Sequence, residues 1–128
     1  MDPTPLRESA AWVFGALCGG AIAFHLALIT GRPWGHLTMG GRWSGSLPVV
    51  GRVLSALSVV ILVGMAIVVL SLGGQTKWTP PTWLTYLTAA YLALAILAHL
   101  ATPSLAERRL WLPVIFGMAG CLALILSL

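Results

Sequence analysis

Residues 53–72 read VLSALSVVILVGMAIVVLSL and contain no Asp, Glu, Lys or Arg. About 20 apolar residues are enough for an α-helix to cross the hydrocarbon core of a bilayer. Backbone polar groups in lipid must be hydrogen-bonded within their own segment. A strand of a membrane β-barrel would alternate apolar and polar residues, whereas this stretch is apolar on every side. It therefore predicts a transmembrane helix and not a strand of a β-barrel.

Three further uncharged runs accompany this one, at residues 10–30, 82–101 and 110–128. Of the 128 residues, 59% are hydrophobic and only 8% are charged, whereas a soluble domain carries about 25% charged residues. This composition excludes a water-soluble globule, and it excludes a disordered chain, which needs low hydrophobicity and high charge. We expect an all-α membrane protein, an antiparallel bundle of four transmembrane helices that forms a single domain over residues 1–128.

The cations predict the orientation of this bundle and make the lipid bilayer its partner. Five of the seven lie in the loops after the first and third runs: Arg32, Arg42, Arg52, Arg108 and Arg109. Because positively charged loops stay in the cytoplasm, both termini should lie outside it. The cations are dispersed between apolar runs and form no solvated cluster, so nucleic-acid binding is not expected.

Side chains at helical spacing predict which faces of the four helices meet. The four seams are Phe14, Cys18, Ala21, His25 and Leu28; Ser55, Ser58, Leu62, Met65 and Val69; Thr85, Thr88, Leu92, Ala95 and His99; and Val114, Gly117, Cys121 and Leu124. Small residues at Gly15, Gly19 and Ala23 predict a groove for close helix contact, within the bundle, with a membrane-protein partner or with a second copy. Pro113 should cost little, since it falls in the first turn of the predicted fourth helix.

A polar layer is predicted near the cytoplasmic ends of the helices, where His25 and His99 lie at a similar depth to Ser55 and Ser58. An ionisable residue inside a span suggests a functional site. In the alternative, each imidazole only bonds a neighbouring hydroxyl or carbonyl. Two histidines at matching depth also suit axial ligation of haem, but no second pair exists for an electron path across the membrane, so no cofactor is expected.

The acidic residues argue against proton-coupled transport and against catalysis. Asp2, Glu8 and Glu107 all lie outside the predicted spans, where the carboxylate of a proton relay would not be. We expect Glu107 to form an ion pair within an interfacial turn that contains Arg108 and Arg109. The sequence has no catalytic triad, paired carboxylate or phosphate-binding loop, and no metal-ligand spacing. It therefore predicts neither an enzyme nor a metal site.

The first loop is rich in glycine and contains Arg32, Trp34 and Arg42 but no acidic residue. Glycine lets backbone N–H groups form concave anion sites, and arginine binds phosphate in a bidentate manner. The loop is therefore a candidate binding site for a lipid phosphate. The alternative is a connector lying on the membrane surface, whose cations only set the orientation.

Two segments carry a resemblance to a known group of proteins. The residues concerned are Gly31, Pro33, Trp34, Gly35, Gly40, Gly41, Leu47, Pro48 and Arg52 in the first loop, and Glu107, Arg108, Trp111 and Pro113 near the last helix. In these positions the chain resembles small bacterial four-helix membrane proteins of unknown function, with a GxPWG…GG first cytoplasmic loop. The resemblance implies a multi-pass protein of the bacterial inner membrane, and it implies no activity.

Two functions remain open for such a protein. We expect a non-enzymatic accessory or interaction subunit, and the alternative is a binder or transporter of a small ligand or lipid in the polar layer. A continuous cavity that reaches His25 would favour the binder. A filled core with Gly15 and Gly19 facing outward would favour the subunit.

Overall fold

The computed structural model describes residues 2–128 and contains four long helices. They are α1 (Thr4–Ile29), α2 (Val49–Leu72), α3 (Thr82–Ala101) and α4 (Leu105–Ser127). Each is long and apolar enough to cross a membrane, and the part of the chain described contains no strand. The predicted all-α fold of four membrane-spanning helices is confirmed.

Three helices begin before the apolar runs that predicted them. α1 begins at Thr4 instead of residue 10, α2 at Val49 instead of residue 53, and α4 at Leu105 instead of residue 110, whereas α3 matches its predicted range. A helix continues into the polar interface because its hydrogen bonds are made within the segment whatever surrounds it. Ser104 caps the start of α4, since its Oγ accepts a hydrogen bond from the Glu107 N–H at 3.2 Å.

The helices run antiparallel, and the chain makes different contacts at the two ends of the bundle. At one end, the first loop packs on the turn between α3 and α4, as the 2.8 Å bond from Gly40 N–H to Glu107 shows. At the opposite end, Gly73 after α2 lies against Ala11 of α1. We call these the loop end and the far end.

Around the bundle, α1 packs closely against α2 and α4, and α3 packs mainly against α4. In contrast, α2 and α3 touch each other only sparsely. The α2–α3 seam is therefore the loosest of the four sides, and an apolar groove lies along it.

Most of the predicted packing faces are confirmed, but the face of α4 is wrong by one residue. Every predicted seam residue on α1, α2 and α3 is buried or half-buried. On α4 the buried face consists of Ile115, Met118, Leu122 and Ile125, whereas Leu124 is exposed. This helix is apolar on all sides, so periodicity alone did not distinguish its inner face from its outer one.

The glycines that approach other backbone or side chains closely are not the ones predicted. A Cβ at Gly19 would meet nothing within 4 Å, and one at Gly15 would lie at an ordinary 3.5 Å from Leu70. A Cβ at Gly73, however, would overlap that of Ala11. Close contact between α1 and α2 is therefore made at the far end of the bundle and not along the Gly15–Gly19 stripe.

Pro113 lies inside α4 and not in its first turn, because the helix begins at Leu105. Proline has no N–H, so the carbonyl of Arg109 lacks its usual helical partner at this point. Pro113 was expected to cost the helix little stability because it would lie in the first turn, and that placement is wrong.

Candidate functional site

A cavity of about 260 Å³ lies between the four helices at the loop end. Most of its walls are apolar, with contributions from all four helices and from Thr38 and Met39 of the first loop. Its polar lining consists of His25, Thr38, Ser58, Tyr91, His99 and Glu107. We call this space the ligand cavity. Mostly apolar walls with a few converging polar groups are typical of a small-molecule site.

The structure brings together three of the four residues of the predicted polar layer. His25, Ser58 and His99 line the ligand cavity, so the two histidines share one space. Ser55 does not line it: its side chain is fully buried, and its Oγ has no hydrogen-bond partner among the described residues. Ser58 Oγ donates to the carbonyl of Leu54 at 3.0 Å.

Glu107 is the main functional candidate that the sequence reasoning missed. It is only 5% exposed, and its Oε2 accepts hydrogen bonds from Gly40 N–H at 2.8 Å and from Thr102 Oγ1 at 2.9 Å. Arg108 does not pair with it, because that guanidinium donates to the Thr102 carbonyl at 2.8 Å. The expected ion pair with the neighbouring arginines is wrong: the turn folds Glu107 inward.

His99 of α3 is the residue that faces this buried carboxylate. Its Nε2 lies 3.5 Å from Glu107 Oε1, and its Nδ1 lies 2.7 Å from the carbonyl oxygen of Ala95. A carbonyl oxygen only accepts hydrogen bonds, so Nδ1 carries a hydrogen and donates it. The interpretation that His99 bonds a neighbouring carbonyl therefore holds, but it describes only one of the two ring nitrogens.

His25 of α1 behaves differently from His99. Its Nδ1 is buried and has no hydrogen-bond partner in the described part of the chain. The imidazole meets the Phe24 ring edge-on, with 5.6 Å between centroids. A buried polar group without a partner is costly, so His25 presents an unmet hydrogen-bonding requirement beside the ligand cavity.

The first loop packs over the ligand cavity at the loop end and contributes Thr38 and Met39 to its walls. Besides the bond from Gly40 to Glu107, the Ser104 hydroxyl donates to the His36 carbonyl at 2.7 Å and Trp111 Nε1 donates to the Leu37 carbonyl at 2.8 Å. Gly40 and Gly41 both have a φ of +72°, a left-handed conformation that favours glycine. These contacts hold residues 36–41 against α4, and we call this segment the cap.

The loop residues predicted to bind a lipid phosphate do not line the ligand cavity. Arg32 lies over the ring of Trp34, 6.0 Å from its centroid, and Arg42 lies over Trp43 at 5.5 Å. Trp34 in turn stacks on Phe24, with centroids 6.1 Å apart. The two arginines thus pair with separate tryptophans, and phosphate binding by them stays a prediction.

The two histidines are also candidate ligands for a metal or a haem. The described residues contain no group of three His, Cys, Asp or Glu side chains placed to hold a metal ion. His25 and His99 do share the ligand cavity, but His99 Nε2 faces Glu107. An iron held by both imidazoles would therefore have to displace this carboxylate from His99.

Four apolar helices surrounding one capped cavity define a small multi-pass membrane protein in contact with the lipid bilayer. Comparison of the chain with known protein families, with characterised proteins and with solved structures found no match.

Proposed function

We propose that the protein binds or transports a small ligand in the ligand cavity, without catalysing a reaction on it. The observation that carries this proposal is the continuous space that reaches His25, His99 and Glu107. A volume of about 260 Å³ is several times the roughly 30 Å³ that one water occupies in the liquid. The bundle is therefore not filled at this end, whereas the core of a purely structural subunit would be filled.

The polar groups of the ligand cavity support binding more than catalysis. Neither serine forms a nucleophile–base pair: the Ser58 hydroxyl donates to a backbone carbonyl, and Ser55 is sealed away from the cavity. His25 and Glu107, in contrast, each have an incompletely bonded polar atom and line a largely apolar space. Such groups orient a ligand and select it by its hydrogen-bonding pattern.

The role of an accessory or interaction subunit remains the second candidate function. It is favoured by the outward-facing small residues of α1, since a Cβ at Gly19 or Gly20 would meet nothing within 4 Å and Ala23 is exposed. A flat stripe of this kind lets a partner helix approach closely in lipid. A partner would cover the stripe without affecting the ligand cavity.

The location that fits this function is the bacterial inner membrane, with both termini outside the cytoplasm. The resemblance of the first loop supports the membrane, and the excess of cations in the loops at the loop end supports the orientation. Reporter fusions at Gly45 should report the cytoplasm, and fusions at Gly74 and at the C-terminus should report the opposite side. A cytoplasmic C-terminus would overturn this orientation.

The binding function is tested by filling the ligand cavity. Ala95 lines it, whereas Ala93 of the same helix is exposed toward lipid. Native mass spectrometry of protein extracted in lipid discs without detergent should find an additional bound mass on the wild type and on Ala93→Phe. Ala95→Phe should have lost that mass. Equal bound masses on both variants, or none on any form, would contradict the proposal.

A further inference from the structure

A second, apolar space lies between α2 and α3 and adjoins the ligand cavity. Its volume is about 530 Å³, and its lining includes Ile61, Gly64, Met65, Leu87 and Tyr91. Met65 and Tyr91 line both spaces, so the two spaces meet at these two side chains. Ile61 and Leu87 are exposed, which shows that this lateral groove opens outward, toward lipid in a membrane.

The α2–α3 seam is the least packed side of the ligand cavity. At the loop end, the hydrogen bonds of Ser104, Glu107 and Trp111 hold the cap in place. Toward the far end, the fully buried side chains of Phe14 and Val69 belong to a filled core. A ligand that crosses the sparse seam comes from the hydrocarbon of the bilayer. Such a ligand must be lipophilic.

His99 and Glu107 contact each other in the ligand cavity. Because His99 Nδ1 donates to the Ala95 carbonyl at 2.7 Å, Nε2 is the ring nitrogen that faces Glu107 Oε1, at 3.5 Å.

Glu107 Oε1 is the atom that a cationic ligand would approach. The nitrogen that faces it, His99 Nε2, is 3.5 Å away, beyond the roughly 2.7–3.2 Å of an ordinary N–H···O bond. Trp111, one helical turn after Glu107, lines the same cavity, and aromatic rings attract ammonium groups. A buried carboxylate with one underused oxygen, an aromatic neighbour and an adjoining apolar groove together match an ammonium head on an alkyl chain.

We propose that the protein takes up a lipophilic alkylammonium from the bilayer through the lateral groove and binds its ammonium head at Glu107 Oε1. The alkyl chain lies in the groove and the head lies in the ligand cavity. This inference rests on the proposed binding function and names the class of ligand.

Few other ionisable groups line the ligand cavity. α1 contributes His25, and α3 contributes Tyr91 besides His99. α2 contributes only Ser58 and apolar side chains to the cavity, and the cap contributes Thr38 and Met39. Arg108 of α4 is engaged with the Thr102 carbonyl. Glu107 is thus the single carboxylate of the cavity and the group that a cation would select.

The test is equilibrium binding of radiolabelled decyltrimethylammonium, a permanent cation, to the full chain. The protein is held in nanodiscs of uncharged phosphatidylcholine, and the binding measured with empty nanodiscs is subtracted. The wild type should bind well above the empty-nanodisc background. Glu107→Gln should bind roughly tenfold more weakly or worse, since an interaction with a charged group is lost.

A matched pair of glycine variants tests the lateral groove without altering Glu107. A Cβ at Gly64 or at Gly120 meets nothing within 4 Å, so both positions accept a large side chain, but only Gly64 lines the groove. Gly64→Trp should weaken binding roughly tenfold because the indole occupies the place of the chain. Gly120→Trp should bind like the wild type.

The outcomes separate this inference from the proposed function. Equal binding by Gly64→Trp and Gly120→Trp would overturn the lateral groove. Unchanged binding by Glu107→Gln would overturn the site of the head, and no binding by the wild type would overturn the ligand class. In that last case a mass lost only from Ala95→Phe would still support a cavity that binds some other small molecule.

Discussion

The two ends of the bundle are built by different kinds of contact. At the far end, Phe14, Cys18 and Val69 are fully buried in an apolar core, and Gly73 packs directly against Ala11. At the loop end, polar contacts join segments far apart in sequence, such as Gly40 with Glu107 at 2.8 Å. The far end is filled and the loop end encloses a cavity.

This difference places the residues that stabilise the fold at one end of the bundle and the candidate binding residues at the other. Packing without voids stabilises helices in lipid, where burial from water contributes little to their association. A cavity lined by ionisable groups gives up some of that stability and retains polar atoms for a ligand. We therefore expect substitutions at the far end to affect mainly unfolding, and those at the loop end to affect mainly binding and the mobility of the cap.

The largest effect on stability should come from removing the aromatic side chain at the centre of the filled end. Phe14→Ala leaves a cavity where Phe14 has no exposed surface, and such truncations cost about 3 kcal/mol or more. Phe116→Ala is the control, because Phe116 is 53% exposed toward the lipid side. Reversible unfolding in mixed micelles measures both. Equal losses would contradict the assignment of the far end as the packed core.

A smaller loss should follow from enlarging the glycine at the contact between α1 and α2. Gly73→Leu places atoms where Ala11 already lies, and overpacking of this kind costs about 1–3 kcal/mol. Gly19→Leu should be nearly neutral, since nothing lies within 4 Å of its Cβ. The same unfolding assay applies. If Gly19→Leu is the more destabilised variant, the Gly15–Gly19 stripe carries the close contact after all.

Loss of one bond that holds the cap should have a modest effect. Trp111→Phe removes the 2.8 Å hydrogen bond to the Leu37 carbonyl, which should cost about 1 kcal/mol. Amide hydrogen exchange should accelerate in residues 36–41 and stay unchanged at the far end. Trp83→Phe is the control, because Trp83 is exposed. Uniform acceleration along the chain would show that the cap is not a separate unit.

Replacing the histidines tests whether the two are equivalent. His99→Gln loses the bond to Ala95 and the contact with Glu107, and should destabilise by about 1 kcal/mol. His25→Gln should cost less, because His25 Nδ1 makes no hydrogen bond that could be lost. Thermal unfolding with an absorbance spectrum measures both. A Soret band in the wild type that disappears in either variant would instead indicate haem.

The sequence was sufficient for the helices but not for the inside of the cavity. Uncharged runs of helical length indicated all four spans because lipid admits few backbone structures. The packing faces of α1 and α3 could also be predicted, since His25 and His99 each fall at helical spacing with buried residues of their own helix. The inner face of α4 was not, because a helix that is apolar all round has no periodic signal.

Glu107 shows why the site could be predicted only in part. Its position next to Arg108 suggested a local ion pair, and local sequence does not reveal that Gly40 of the first loop supplies its partner. A signal was present: Ser104 and Glu107 have the spacing of a capping box, which would have started α4 before Glu107. The inward turn depends on Thr102, whose bond to Glu107 is local, and on the cap, whose contact with Glu107 is long-range.

The most direct test of the contrast between the two ends is the chemical accessibility of the ligand cavity. In a Cys18→Ala, Cys121→Ala background, Ala95→Cys places a thiol in the cavity and Ala93→Cys places one toward lipid. Reaction with aminoethyl methanethiosulfonate in nanodiscs should be much faster at position 95, because a thiolate forms only where water or polar groups are near. Equal, slow rates at both positions would show that the loop end is as closed as the far end and would contradict the binding function.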